Sequence, residues 1–187
     1  MSAEAGEPGA IGERGARSDH VTTPSPKVRT DIVDVYVFRD SPAGVQFLQL
    51  LRSGSTLSGS WQPVMGHAEA WESAVKCALR ELEEETGLAR ESDSFAGFWA
   101  LEQVHPYFMA SLDAIIMSPR FAVRVNSEWE PRVSHEHTKV RWVDKNAIDE
   151  HFMWPGQRAA IREVLSEIVE YSLAREHLKI DHAGVKR

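Results

Sequence analysis

Glu81, Glu84 and Glu85 are the residues of this chain whose type and spacing could do chemistry. They lie in Arg80-Glu-Leu-Glu-Glu-Glu-Thr-Gly-Leu88, seven residues after the run Gly66-His-Ala-Glu-Ala-Trp-Glu72. On a helix turning about 100° per residue, Glu84 falls about 60° to one side of Glu81 and Glu85 about 40° to the other, so three carboxylates share one arc. Like charges at this spacing destabilise an isolated helix by about 0.2–0.5 kcal/mol per pair and shift one another's pKa; a hard divalent cation among them removes that penalty. Oxygen-only donors, with room left for water and phosphate oxygens, favour Mg²⁺, with Mn²⁺ as a substitute, over Zn²⁺. Glu83 points off that arc and reads as a solvated charge.

The helix that must carry these carboxylates has its own signals. Val75, Ala78, Leu79 and Leu82 recur at i, i+3, i+4 and i+7, giving an apolar stripe on another side that can dock on a sheet. Gly87 supplies a left-handed residue just past the helix end, and Leu88 resumes the apolar pattern.

Around this helix the chain reads as one domain over residues 29–178, with a flexible tail over 1–28, rich in Gly, Ala, Ser, Pro and Glu, and a short tail over 179–187. Ile32 to Phe38 and Val45 to Leu51 read as a hairpin across the turn Ser41-Pro-Ala-Gly44. Phe95 to Gln103, Met109 to Met117 and Val140 to Val143 read as further strands, and Pro155 to Leu178 as one amphipathic helix. Strands before and after a central helix, with a helix at the end, predict an α/β sandwich with a mixed sheet.

Composition narrows the class. The net charge is −7, and much of the excess sits in the segment from Glu69 to Glu85. No Lys/Arg cluster interleaved with aromatics is present, which argues against duplex nucleic acid as a partner. Cys77 is the one cysteine, so an intramolecular disulfide is excluded. No apolar run reaches the length of a bilayer span, and the expectation is a soluble cytoplasmic protein without a membrane partner.

Written as G-x5-E-x7-R-E-U-x-E-E-x-G-U, with U aliphatic, the segment from Gly66 to Leu88 fills every specified position. The odds of this by chance are well below about one in a million. The segment resembles the signature of the Nudix hydrolases. The resemblance implies the family's α/β/α sandwich and metal-dependent water attack on a pyrophosphate. It also implies that the Gly66 carbonyl joins Glu81, Glu84 and Glu85 as a metal ligand, and that Arg80 orients a carboxylate. The proton acceptor varies in this family; Glu84 is one candidate and Glu136, just before a strand, is another, against a plain surface role for Glu136. Many members carry Gly where this chain has Trp71, which either packs on the sheet edge, the commoner fate of a large aromatic, or lines the pocket.

The runs Trp61-Gln-Pro-Val-Met-Gly66 and Trp154-Pro-Gly-Gln157 resemble the nucleoside-triphosphate branch, which includes dihydroneopterin triphosphate pyrophosphatases. That branch implies a small nucleotide or pterin phosphate as substrate, cleaved to monophosphate and pyrophosphate, with Gln157 among the substrate-binding residues. Arg52, ending the second strand, is a candidate for phosphate by its planar fork, against a surface role. Trp61, Trp99, Tyr107, Phe108 and Trp154 are candidates to stack the ring, against packing in the core. Ser134-His-Glu-His137 also resembles the asymmetric dinucleoside tetraphosphate hydrolases. The complete carboxylate set argues against a non-catalytic nucleotide sensor.

Overall fold

The computed structural model describes residues 25–53, 57–134 and 136–181. Within them the strands are β1 (Lys27–Arg29), β2 (Ile32–Ser41), β3 (Gly44–Arg52), β4 (Trp61–Gln62), β5 (Val64–His67), β6 (Phe95–Ala100), β7 (Tyr107–Met109), β8 (Ala114–Ile116), β9 (Arg120–Val125) and β10 (His137–Asp144). The helices are α1 (Ala74–Thr86), α2 (Ile148–His151), α3 (Pro155–Glu163) and α4 (Arg175–Leu178). The main sheet runs β10-β3-β2-β9-β6, with β4 added to β3 and β5 to β2. Only its β2–β9 pair is parallel, so the sheet is mixed. A second sheet, β1-β8-β7, lies beside it and shares a small core of Ile32, Ala114 and Ile116 with Met65 and Met109.

The alternation along β2 sorts its side chains onto two faces, as strand geometry requires. Val33, Val35 and Val37 join Leu50, Val64, Cys77, Ala78 and Leu82 in the layer under α1. Tyr36 and Phe38 join Trp99, Ala122, Ala160, Ile161 and Ile168 in the layer under α3. Two apolar layers about one sheet give the α/β/α sandwich. Local chemistry fixes α1 at both ends. The Ser73 side chain accepts the Lys76 N–H, and Gly87 closes the helix at φ 72° with its N–H on the Glu83 carbonyl.

The structure departs from the sequence expectations in four places. β9, a central strand, lies where the sequence reading placed no element; its flanking Pro119 and its Arg120 and Arg124 masked a run that pairs with β2 and β6. The expected strand from Met109 to Met117 is a hairpin, because Ala110–Leu112 turns tightly and Asp113 adopts φ 44°. The expected helix to Leu178 widens into a π-helical segment over Val164–Val169 and then stops. There Tyr171 takes φ 58°, and the Ser172 hydroxyl donates to the Glu167 carbonyl while accepting the Ala174 N–H, so a side chain competes with the helical ladder. Leu173, whose spacing from Ile161, Val164, Leu165, Ile168 and Val169 predicts a place on the apolar face of that helix, is 98% exposed.

The chain ends also differ from the expected tails. Lys27 and Val28 pair with Ala114 and Ile115, and Ile180 donates its N–H to the Phe98 carbonyl beside a bridge between Trp99 and Lys179. The parts of those tails before Ser25 and after Asp181 lie outside the described residues. Among the described residues no helix is long and apolar enough to cross a membrane.

Candidate active site

Arg80 organises the signature. Its Nε and Nη2 donate to the two oxygens of Glu72 at 3.0 and 2.9 Å. Its Nη1 donates to Glu81 at 2.8 Å and to Glu84 at 3.1 Å, and Nη2 also reaches the His67 carbonyl at 3.0 Å. The guanidinium thus ties the loop after β5 to the exposed face of α1, the use for which a rigid planar fork is suited. Arg80, by its hydrogen bonds, holds Glu72 below the usual carboxylate range.

Glu81 and Glu85 behave differently because they are buried. Burial raises Glu81 against the pull of Arg80. Burial, with Glu81 and Glu136 adding negative charge, pushes Glu85 up to about 9. A hydrogen bond from the Met65 backbone and the charge of Arg52 act in the opposite direction. Glu85 Oε2 is buried without a hydrogen-bond partner. Such an orphan is costly unless something else satisfies it. Glu84, with 59% of its side chain exposed, is turned outward to Arg80.

Gly66 faces this cluster. A Cβ on it would lie 1.9 Å from the Glu81 carboxyl carbon, so only glycine lets loop and carboxylate meet as they do. Its partner in β2 is Val33, on the α1 side of the sheet. Glu136 arrives at the start of β10, its backbone carbonyl accepting from the Ser53 N–H and hydroxyl at 2.9 and 2.8 Å. Arg52, ending β3, sets its positive charge against Glu85, and its Nε is buried without a partner. Glu81, Glu84, Glu85, Glu136, Arg80, Arg52 and Gly66 therefore gather at one end of the sheet. Among the described residues, no three His, Cys, Asp or Glu side chains stand close enough to hold a metal as placed. Arg80 Nη1 is shared by Glu81 and Glu84, so both carboxylates are engaged by a cation of the protein itself.

The remaining predicted residues fall elsewhere. Trp61 lies under Arg141, whose guanidinium carbon is 4.2 Å from its ring centre and whose Nε and Nη2 bind Gln49 Oε1 at 2.9 and 2.7 Å. Trp154 precedes α3 and is 45% exposed, whereas Gln157, one turn on, is buried with Oε1 unpartnered. Sequence reasoning missed Asp34 and Arg120, a buried ion pair at 3.1 Å. The signal was a lone carboxylate inside the apolar run from Ile32 to Phe38. Cys77 is buried packing, as expected, and burial pushes its thiol up to about 12.

Trp71 corrects both alternatives weighed for it. It neither packs nor lines a pocket, but stands fully exposed at φ 68°. The neighbouring Glu72, held by Arg80 and by the Glu69 N–H at 3.0 Å, fixes a backbone shape that glycine adopts more readily. Trp71→Gly is expected to stabilise the fold by about 0.5–1 kcal/mol after glycine's own entropy cost. That is a rise of about 1–4 °C in Tm. A lower Tm would mean that the indole contributes more than its backbone costs.

Comparison with known proteins identifies the family and the fold. The NUDIX domain pattern matches residues 28–164, and the chain belongs to that family. A Myxococcus xanthus protein named octanoyltransferase is 31% identical over 147 residues, which are 78% of this chain and 38% of that one. The chain spans 38% of the length of the curated relatives it matches. A C. elegans Ap4A hydrolase in a binary complex superposes with a TM-score of 0.63 at 18% identity, over 76% of this chain and 100% of that one. The E. coli dihydroneopterin triphosphate pyrophosphohydrolase superposes with a TM-score of 0.60 at 16% identity, over 79% and 99%. At such identities the likeness is one of fold.

Proposed function

We propose that this chain hydrolyses a pyrophosphate bond in a nucleoside or pterin triphosphate, with Mg²⁺ as cofactor, to give the monophosphate and pyrophosphate. The observation that carries this reading is the orphaned, buried Oε2 of Glu85 on the same helix as Glu84 and as Glu81, whose carboxylate meets the glycine cradle of Gly66. An all-oxygen donor set with one unsatisfied carboxylate fits a hard divalent cation. Gly66 through its carbonyl, Glu81, Glu84 and Glu85 would hold it. When bound, the cation neutralises phosphate charge and lowers the pKa of water.

The protein's own groups supply the rest. Arg80 keeps Glu72, Glu81 and Glu84 in register. Glu136, at the edge of the cluster, takes the proton from the attacking water, and Glu84 is the alternative acceptor. Arg52 offers its unpartnered Nε to a phosphate oxygen. Trp61, Trp154 and Gln157 bind the ring end.

A substrate panel in Mg²⁺, run in ¹⁸O-labelled water, tests this reading. Triphosphates should yield pyrophosphate and a labelled monophosphate. Inert triphosphates, with dinucleoside tetraphosphates releasing a triphosphate, would replace the reading by the asymmetric tetraphosphate hydrolase alternative.

A further inference from the structure

The end of the sheet farthest from the carboxylates holds a second group of charged side chains. Side chains alternate along β2, so Phe38 and Asp40 share its α3 side, and Arg124 of β9 stands opposite Phe38 in the parallel pair. Val33, the partner of Gly66, lies seven residues back along the same strand, about 23 Å away at about 3.3 Å per residue. A cavity of about 90 Å³ opens here, lined by the buried Phe38 and Ile168 and by Asp40, Arg124, Tyr171 and Arg175. One water needs about 10–15 Å³ of such space, so the cavity takes a group of several heavy atoms.

The polar groups around it are short of acceptors. Arg124 binds the Asp40 carboxylate, and the Tyr171 hydroxyl lies beside the same guanidinium. Arg175 has no carboxylate partner among the described residues. Its guanidinium carbon stands 3.8 Å from the Tyr171 ring centre and 5.5 Å from that of Trp99, and its Nε is buried without a hydrogen bond. Trp99 also packs on Phe38, and its own Nε1 is buried with no acceptor. Two guanidiniums thus meet one carboxylate, and an anion would redress the balance.

The backbone is bent to hold this arrangement. After the π-helical segment the Glu170 N–H reaches the Leu165 carbonyl, and Tyr171 then takes φ 58°. A bulky residue rarely adopts that conformation, and burial does not account for it, because Tyr171 is 68% exposed. The turn instead sets the phenol ring over Arg175 and its hydroxyl by Arg124. Stacking fixes a guanidinium while its in-plane donors stay available.

We infer that this cavity is a second ligand site, apart from the carboxylate cluster, and that it takes a phosphate group held by Arg175, Arg124 and the Tyr171 hydroxyl. Two planar forks and a hydroxyl suit a tetrahedral oxyanion with several acceptor oxygens better than a lone carboxylate. Asp40 holds Arg124 in place and opposes the anion, so it limits affinity. This inference stands independently of the hydrolase reading.

The experiment titrates the metal-stripped full-length protein with inorganic phosphate, glycerol phosphate and acetate. Calorimetry gives the affinity, and the Nε–H signals of Arg124 and Arg175 in NMR spectra give the place. Inorganic phosphate or glycerol phosphate should shift both signals to saturation and bind at least about 10-fold tighter than acetate, the scale of one hydrogen bond to a charged group. Arg175→Gln should weaken that binding by at least about 10-fold. Asp40→Asn should tighten it by about 3-fold, since a nearby negative charge is removed. A packing role for the ion pair would not give these opposite signs. Glycerol phosphate binding as well as inorganic phosphate supports a phosphate carried on a larger molecule, and its exclusion supports the free ion. No saturable shift with either phosphate, acetate binding as tightly, or unchanged binding in Arg175→Gln overturns the inference. If Arg175→Gln does not fold, Asp40→Asn decides: tighter binding supports the site, and unchanged or weaker binding overturns it.

Discussion

Glutamine in place of Glu85 is expected to raise the Tm of the metal-free protein above neutral pH while cutting turnover by at least ~10²-fold. The folded-state pKa of Glu85 is pushed up to about 9, against an ordinary carboxylate value of 4.5. A raised acid is fully favourable below the unfolded pKa, and its contribution is lost as pH rises toward the folded one. At pH 7 the loss is on the order of 3 kcal/mol, from about 1.4 kcal/mol per pH unit. The metal-free wild type should therefore lose Tm steadily between about pH 5 and 9. Glu85→Gln should not, because an amide cannot ionise. Mg²⁺ should restore the wild type by binding the native state and leave the variant nearly unmoved. Thermal melts across pH, with and without metal, read all of this. A flat wild-type profile that coincides with Glu85→Gln would remove Glu85 from the site.

Arg80→Ala is expected to destabilise the fold by about 3–5 kcal/mol, the scale of leaving a buried ion pair half-broken. The guanidinium is the partner of Glu72 and Glu81, whose side chains are only 13% and 14% exposed, and it also holds the His67 carbonyl. Glu84, being exposed, should matter least to stability. Arg80→Lys should recover less than half of the loss, since an ammonium cannot form the two-pronged contact to Glu72. Urea unfolding measures both variants. A cost below about 1 kcal/mol for Arg80→Ala would mean that the carboxylates are solvated rather than clamped.

The parts of the fold that sequence revealed are those set by local chemistry. The apolar stripe and the Gly87 terminus of α1 act within a turn or two, and they placed Glu81, Glu84 and Glu85 on one helix. β9 was not legible because its identity comes from pairing with β2 and β6, which lie far off in sequence. The break after Val169 depends on a single hydroxyl, that of Ser172, which a periodicity argument ignores. At the site, the carboxylates followed from spacing, while the outward turn of Glu84 toward Arg80 did not. Asp34 carried a signal, a charge in a buried strand, but its partner lay on the strand that went unseen.

The four-residue strand β5 has a consequence for how the chain can vary. Met65 and Gly66 sit on adjacent positions of one ladder, and a strand's side chains alternate between faces, so each serves a different side of the sheet. Gaining or losing one residue within Val64–His67 would exchange those sides and carry the glycine cradle away from Glu81, and a change in the loop up to Glu72 would move that carboxylate off Arg80. Gains ahead of Trp61 would merely lengthen a loop, at a cost that grows slowly with length. Insertions and deletions in natural or engineered versions of this chain should therefore fall before Trp61, and the stretch from Val64 to Glu72 should keep its length, with Gly66 and Glu72 kept, while its other side chains change.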